Sequence, residues 1–151
     1  MNNAVNTGID KARLISLFSS QNILISEAQA EQFTKYAELL VDWNQRINLT
    51  AITEPDEIEE KHFLDSCLPF ADVDIPRGAS VADIGTGAGF PGIPLKILRP
   101  DIDLTLVDSL QKRITFLDTV CAAIGVSAKT IHGRAEELGR LDLRESFDIA
   151  T

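Results

Sequence analysis

The segment Val81–Gly92, VADIGTGAGFPG, constrains the fold more than any other part of the chain. It starts as a short buried strand over Val81–Ile84 and continues as a glycine-rich loop over Gly85–Gly92. The glycines let the backbone turn sharply after the strand, with no Cβ in the way. Helical residues follow to about Arg99. The segment therefore predicts a strand–loop–helix unit of the kind that builds parallel sheets.

Strands and helices continue to alternate after this unit. A second strand is predicted over Leu104–Val107, and Ser109 is expected to cap the following helix, which Gly125 ends. A third strand is predicted over Ala128–His132, and a fourth starts at Phe147–Thr151. The order predicts an α/β fold with right-handed crossovers and a mostly parallel sheet. Because a sheet that ends on a strand lacks the next helix, we expect the sequence to be a fragment, truncated after the fourth strand.

The residues before the sheet predict helices only. A first helix is expected over Asp10–Ser20, and a third over Pro55–Ser66. Between them, Ser26 and Gln29 have the form of a capping box at the start of a long helix. The predicted organisation is an N-terminal helical extension over residues 1–75 and a partial Rossmann-like domain over residues 76–151.

The long second helix has one narrow apolar stripe. Its members fall at steps of three and four residues: Phe33, Tyr36, Leu40, Trp43 and Ile47. We interpret Tyr36 and Trp43 as core residues, with a role in stacking on a nucleic-acid base as the alternative.

Composition excludes several classes of protein. The formal net charge is −9, from 23 acidic and 14 basic residues, which argues against non-specific nucleic-acid binding but leaves room for a local basic face. No run of about 18 apolar residues is present, and the N-terminus lacks the apolar stretch of a signal peptide, so we expect a cytoplasmic protein without a membrane segment.

Cys67 and Cys121 are far apart and predict two reduced, mostly buried thiols. His62 and His132 have no metal-ligand spacing, so no metal site is predicted.

Two classes of nucleotide cofactor fit the glycine loop. Gly87-x-Gly89-x-x-Gly92 matches the dinucleotide fingerprint, whereas Gly85-x-Gly87-x-Gly89 matches the loop of methyltransferases. Asp83 favours the second class, because a carboxylate there suits a cationic methionyl group better than a pyrophosphate. A purely structural role, accepting hydrogen bonds from the loop, is compatible with either cofactor.

Acidic residues after the second and third strands predict the rest of a cofactor site. Asp108 follows Gly85 by 23 residues and can accept both hydroxyls of a ribose. After the third strand, the turn Gly133–Glu137 can cap an adenine, with Glu136 reading its edge. No Ser/His/Asp or Cys/His arrangement is visible in the sequence. Methyl transfer to a good nucleophile requires neither a covalent intermediate nor much base, so this absence is compatible with a methyltransferase.

With these motifs in place, the chain closely resembles the bacterial small-subunit ribosomal RNA methyltransferase G family, also called glucose-inhibited division protein B. The resemblance runs from about Tyr36 to Thr151, and it is carried by WNQRINLTAIT, HFLDS, DIGTGAGFPGIPL, LVDSLQKRITFL, GRAEEL and FDIAT. It implies a class I methyltransferase fold that uses S-adenosyl-L-methionine to methylate N7 of one guanine in 16S rRNA. The cofactor contacts that it implies are Gly85, Phe90, Ala135 and Glu136, and Asp108 fits the ribose role.

Two further expectations follow from the resemblance. A family arginine shortly after FDIAT would lie beyond the last residue, so the cofactor pocket of this chain is expected to be incomplete. The partner would be 16S rRNA in the small ribosomal subunit, bound by a monomer through candidate basic residues: Arg46, Lys61, His62, Lys112 and Arg113. The alternatives are an NAD-dependent oxidoreductase and a cofactor-binding domain without catalysis. No catalytic residue is predicted.

Overall fold

The computed structural model describes residues 7–136 and 147–151. Its elements are α1 (Lys11–Ser20), α2 (Glu27–Asn44), α3 (Pro55–Glu57), a π-helical segment (Ile58–Leu64), α4 (Asp65–Ala71), β1 (Ser80–Ile84), α5 (Gly92–Leu98), β2 (Asp103–Asp108), α6 (Gln111–Ile124), β3 (Lys129–His132) and β4 (Ile149–Ala150). The predicted order of helices followed by alternating strands and helices is confirmed.

The four strands form one parallel sheet in the order β3-β2-β1-β4. β1 is central, and pairs Val81 with Leu104 of β2 and with Ile149 of β4. Because all strands run in one direction, their carboxyl ends meet at a single edge of the sheet. The loops that follow β1, β2 and β3 therefore lie side by side, and this arrangement builds the site.

The helices and the sheet share one hydrophobic core. α2 packs against both α5 and α6, which in turn cover β1 and β2. The predicted stripe on α2 faces this core, with Phe33, Tyr36 and Leu40 fully buried and Trp43 partly buried against Phe116. The interpretation of Tyr36 as a core residue is confirmed, since a side chain without exposed surface cannot stack on a base.

Local signals set the ends of two helices as the sequence predicts. At the start of α2, the Gln29 N–H donates to Ser26 Oγ and the Ser26 N–H donates to Gln29 Oε1, which completes the capping box. Gly125 ends α6 in the left-handed conformation, with φ of 73°.

Two predictions about helix ends are wrong. Ser109 does not cap α6; the cap position belongs to Leu110, and Asp108 instead accepts the Leu110 N–H at 3.0 Å. The third helix does not end at Ser66, because helical structure continues to Ala71 and buries Cys67 against the core.

None of the described helices combines the length and the apolar character that a membrane crossing requires. Cys67 and Cys121 are both buried free thiols, and burial raises the pKa of Cys67 to about 12 and that of Cys121 to about 11.

Candidate cofactor site

A cavity of about 520 Å³ opens at the carboxyl edge of the sheet. It is lined by the ends of β1 and β2 and by the turn after β3: Ile84, Gly85, Asp108, Ser109, Gly133, Arg134, Ala135 and Glu136. Its volume lies within the range of about 300–1,000 Å³ that is usual for small-molecule sites. Four of the five predicted cofactor residues line this one cavity: Gly85, Asp108, Ala135 and Glu136.

The glycine loop brings its backbone up to the cavity at one end and against the core at the other. Gly85 has a φ of 67°, and a Cβ built on it would meet no atom within 4 Å, so the space beside its backbone is open to a ligand. Gly89 has a φ of 102°, and a Cβ there would lie 2.6 Å from the Tyr36 hydroxyl oxygen. The first glycine thus leaves room for a ligand, and the later one lets α2 pack closely against the loop.

Asp108 connects all three loops at this edge. Its Oδ2 accepts the Gly87 N–H at 2.9 Å, and its backbone carbonyl accepts the Gly133 N–H at 2.9 Å. Arg113 lies 3.5 Å from Oδ1, which also accepts the Leu110 N–H. Oδ1 thus has two donors and Oδ2 has one, so Oδ2 retains capacity for a hydroxyl donor in the cavity.

Asp83 has the structural role that the sequence left open as an alternative. Its Oδ2 accepts the Thr86 hydroxyl at 2.7 Å and the Gly92 N–H at 2.9 Å, while Oδ1 accepts the Thr151 hydroxyl at 3.1 Å. The side chain is buried, and this burial raises the pKa of Asp83. Since these contacts hold the loop and the end of β4 together, they do not discriminate between the two cofactor classes.

The turn after β3 forms the far wall of the cavity. Ala135 and Glu136 are exposed there, and His132 Nε2 lies 3.0 Å from the carbonyl oxygen of Ser109. This contact joins the turn to the end of β2. Glu137, the second acid of the predicted pair, lies outside the described residues.

Phe90 is not among the residues that line the cavity. Its ring stacks on His62, with centroids 4.3 Å apart and planes 4° apart, and lies 5.4 Å from the ring of Tyr36. Its predicted contact with a cofactor stays a prediction.

The five candidate basic residues differ in their contacts and exposure. Three have carboxylate partners within 4 Å: Arg46 with Asp42, Lys61 with Glu57, and Arg113 with Asp108. Lys112 is exposed at the start of α6, and burial lowers the pKa of His62. The structure places Arg113 beside the cavity and His62 against Phe90, and it does not gather the five into one cluster of contacts.

The sequence did not single out two of the residues that line the cavity, Ile84 and Ser109, as cofactor contacts, whereas Gly133 and Arg134 belong to the predicted turn Gly133–Glu137. Ile84 and Ser109 are direct chain neighbours of the predicted site residues Gly85 and Asp108. A signal was available, because residues next to a strand's carboxyl end share its position at the sheet edge.

Comparison with known proteins identifies the family. The family model described as rRNA small subunit methyltransferase G, or GidB, matches residues 29–151. The chain belongs to this family. The resemblance carried by the sequence motifs is thereby confirmed.

Curated members of the GidB family match most of the chain. The ribosomal RNA small subunit methyltransferase G of Desulfitobacterium hafniense is 52% identical over 132 residues, which are 86% of this chain and 54% of the relative. That of Clostridium beijerinckii is 50% identical over 129 residues, or 84% and 54% of the two chains. The protein of Exiguobacterium sp. is 43% identical over 145 residues, or 95% and 61%. The chain therefore spans between half and two thirds of the length of these relatives.

Solved structures show the same fold at low sequence identity. A protein described as a protein-L-isoaspartate O-methyltransferase from Plasmodium falciparum, in complex with S-adenosyl-L-homocysteine, superposes with a TM-score of 0.51 at 14% identity. The match covers 99% of this chain and 72% of that one. The fold is the Rossmann-like class I methyltransferase fold that the sequence predicts.

Proposed function

We propose that this chain contributes the cofactor-binding part of an enzyme that transfers a methyl group from S-adenosyl-L-methionine to N7 of a guanine in 16S rRNA. The observation that carries the proposal is the cavity at the sheet edge, where Gly85, Asp108, Ala135 and Glu136 meet. Membership of the rRNA small subunit methyltransferase G family supports the RNA substrate. The substrate places the enzyme on the small ribosomal subunit in the cytoplasm.

The residues of the cavity fit the proposed cofactor. The open space beside Gly85 accepts a ligand close to the backbone, and the Asp108 carboxylate is suited to accept a hydroxyl of a ribose. Glu136, exposed on the turn after β3, is placed to read the edge of an adenine. The cofactor supplies a methyl group that its sulfonium already activates.

The protein's own contribution is binding and alignment. Asp108 ties the glycine loop to the ends of β2 and β3, so the loops that line the cavity keep one relative position. The proposed target, guanine N7, has a lone pair and no proton, so its attack requires no general base. Orientation of two bound reactants is worth up to about 7–11 kcal/mol of barrier reduction in favourable cases.

Methyl transfer to ribosomal particles tests the proposal. The complete gene product is incubated with labelled S-adenosyl-L-methionine and with 30S subunits from cells that lack this modification. We expect label in 16S rRNA that is recovered as 7-methylguanosine after digestion to nucleosides.

The alternatives give different results in parallel experiments. An oxidoreductase would be stabilised against heat by NADH and not by S-adenosyl-L-homocysteine. A binding domain without catalysis would bind S-adenosyl-L-homocysteine and leave the RNA unlabelled. Either result would contradict the proposed function.

A further inference from the structure

His62 is held beside the glycine loop by two contacts of different kinds. One face of its imidazole lies parallel to the Phe90 ring, with a centroid distance of 4.3 Å. Its Nε2 lies 2.7 Å from the hydroxyl oxygen of Thr50. His62 belongs to the π-helical segment, a kind of helix that is rare and often found at functional sites.

The Thr50 hydroxyl is the hydrogen-bond partner of the His62 ring. Thr50 Oγ1 accepts the Ile52 N–H at 3.0 Å, and Asn44 Oδ1 holds the same turn by accepting the N–H groups of Leu49 and Thr50. The Thr50 hydroxyl can donate to His62 Nε2 or accept from it, and when it donates, the neutral ring carries its proton on Nδ1. We infer the tautomer that accepts at Nε2 and carries its proton on Nδ1.

The Nδ1 position faces solvent. In residues 7–136 and 147–151 it has no hydrogen-bond partner, yet no buried side-chain nitrogen or oxygen of these residues is unsatisfied. Nδ1 is therefore accessible. Burial lowers the pKa of His62, so at neutral pH the ring is an uncharged donor.

The order of the strands indicates which loop would lie at the methyl end of the proposed cofactor. With the adenine at the turn after β3 and the ribose at Asp108 on β2, the remaining methionyl and sulfonium part extends towards the loop after β1. Phe90 belongs to that loop and contacts the His62 ring. The His62 ring is thus in contact with the loop that would lie at the methyl end, although neither His62 nor Phe90 lines the cavity itself.

We propose that His62 is a specificity-determining residue that contacts the target base, with its Nδ1–H donating a hydrogen bond to O6 of the guanine. This inference rests on the proposed function. O6 and N7 are neighbouring acceptors on the same edge of guanine, so a donor at O6 orients N7 and leaves its lone pair free. Adenine presents an amino donor in place of O6, so the same contact disfavours it. An uncharged ring also avoids repulsion as N7 becomes positive.

The test measures base preference in 30S particles reconstituted with 16S rRNA that carries guanine, inosine or adenine at the methylated position. Inosine retains both N7 and O6, whereas adenine retains only N7. The complete gene product is compared with His62→Phe, which keeps a stacked ring and removes the donor, and with His62→Asn, whose amide restores a donor near the Nδ1 position. Glu60→Gln, an exposed change in the same π-helical segment, is the control.

We expect the unaltered protein to methylate guanine and inosine at similar rates and adenine far more slowly. His62→Phe should lower kcat/KM on guanine about tenfold and narrow the guanine-to-adenine preference by a similar factor, which is the usual effect of losing one hydrogen bond. His62→Asn should recover part of the preference, and Glu60→Gln should behave as the unaltered protein.

Three outcomes would overturn the inference. His62→Phe could retain the full guanine-to-adenine preference, which would leave His62 a purely structural role. The affinity for S-adenosyl-L-homocysteine could fall with the rate, which would mean that His62 acts through Phe90 on the cofactor. Failure of the unaltered protein to label any RNA would overturn the proposed function and this inference together, whereas the first two results leave the proposed function intact.

Discussion

Asp83, one residue before the end of β1, and Asp108, the last residue of β2, lie on neighbouring parallel strands and are equally buried, yet they make different contacts. Asp83 directs both carboxylate oxygens inward, to Thr86, Gly92 and Thr151. Asp108 accepts backbone N–H groups at the edge of the sheet and lines the cavity. The Asp83 carboxylate therefore holds the glycine loop by hydrogen bonds, whereas the Asp108 carboxylate lines the cavity.

The difference comes from the residues that follow each acid. After Asp83 the chain turns back on itself, and Gly92 packs so closely that a Cβ there would lie 2.8 Å from Asp83 Oδ2. After Asp108 the chain moves on to α6 and leaves the cavity open beside it. Burial alone therefore does not tell a structural carboxylate from a binding one.

The largest expected effect is that of substituting Asp83 on the free energy of unfolding. Asp83→Ala should lower the free energy of unfolding by about 3 kcal/mol, because the Gly92 N–H and the Thr86 hydroxyl lose a charged acceptor in a buried place. Asp83→Asn keeps an acceptor and should lower it by only about 1 kcal/mol. Urea unfolding measures both changes, and equal losses in the two variants would contradict the structural role of Asp83.

The second effect is on cofactor affinity. Asp108→Ala should weaken binding of S-adenosyl-L-homocysteine about 50-fold, or about 2.3 kcal/mol, because a hydrogen bond from the ribose to a charged acceptor is lost. Isothermal titration calorimetry of the complete gene product measures it. Asp118→Ala is the matched control, since Asp118 on α6 accepts the Thr130 hydroxyl of β3 and does not line the cavity. Unchanged affinity in Asp108→Ala would remove Asp108 from the proposed site.

The smallest expected effect is on how the free energy of unfolding depends on pH. Burial raises the pKa of Asp83 above its ordinary value of 3.8, so the native protein holds this proton more tightly than the unfolded chain does. As pH rises from 3.8 towards that raised pKa, the unfolded chain releases the proton first, and this group's contribution to stability falls. The unfolding free energy of the unaltered protein, minus that of Asp83→Asn, should therefore fall as pH rises over this window.

Asp101 provides the opposite case for the same measurement. Its hydrogen bonds from Arg99 and the Gly78 N–H hold the pKa of Asp101 below its ordinary range. The contribution of this group to stability should rise with pH, so Asp101→Asn should show the reverse sign. The same sign in both variants would show that the pH dependence does not come from these two carboxylates.

Much of the fold followed from patterns of short range. The capping box at Ser26, the apolar stripe of α2 and the glycine after α6 each act over one or two turns of chain, and all are confirmed. The helix ends predicted at Ser109 and Ser66 were wrong for a different reason. They depended on competing contacts: the neighbouring Asp108 accepted the Leu110 N–H, and burial of Cys67 against the core accompanied a helix that continues beyond Ser66.

The site, too, has a part that the sequence predicts and a part that it does not. Gly85, Asp108, Ala135 and Glu136 meet because parallel strands end at one edge, which alternation of strands and helices already predicts. The stacking of His62 on Phe90 joins residues from a helix and a distant loop, and no spacing in the sequence predicts it.

The sequence by itself determined the fold class, the family and the edge of the sheet where the cavity lies, because these depend on periodicity and on motifs in chain order. Only the tertiary structure decided which carboxylate faces inward, which faces the cavity, and which nitrogen of His62 is accessible. These depend on hydrogen bonds between residues far apart in the chain, whose partners no local pattern names.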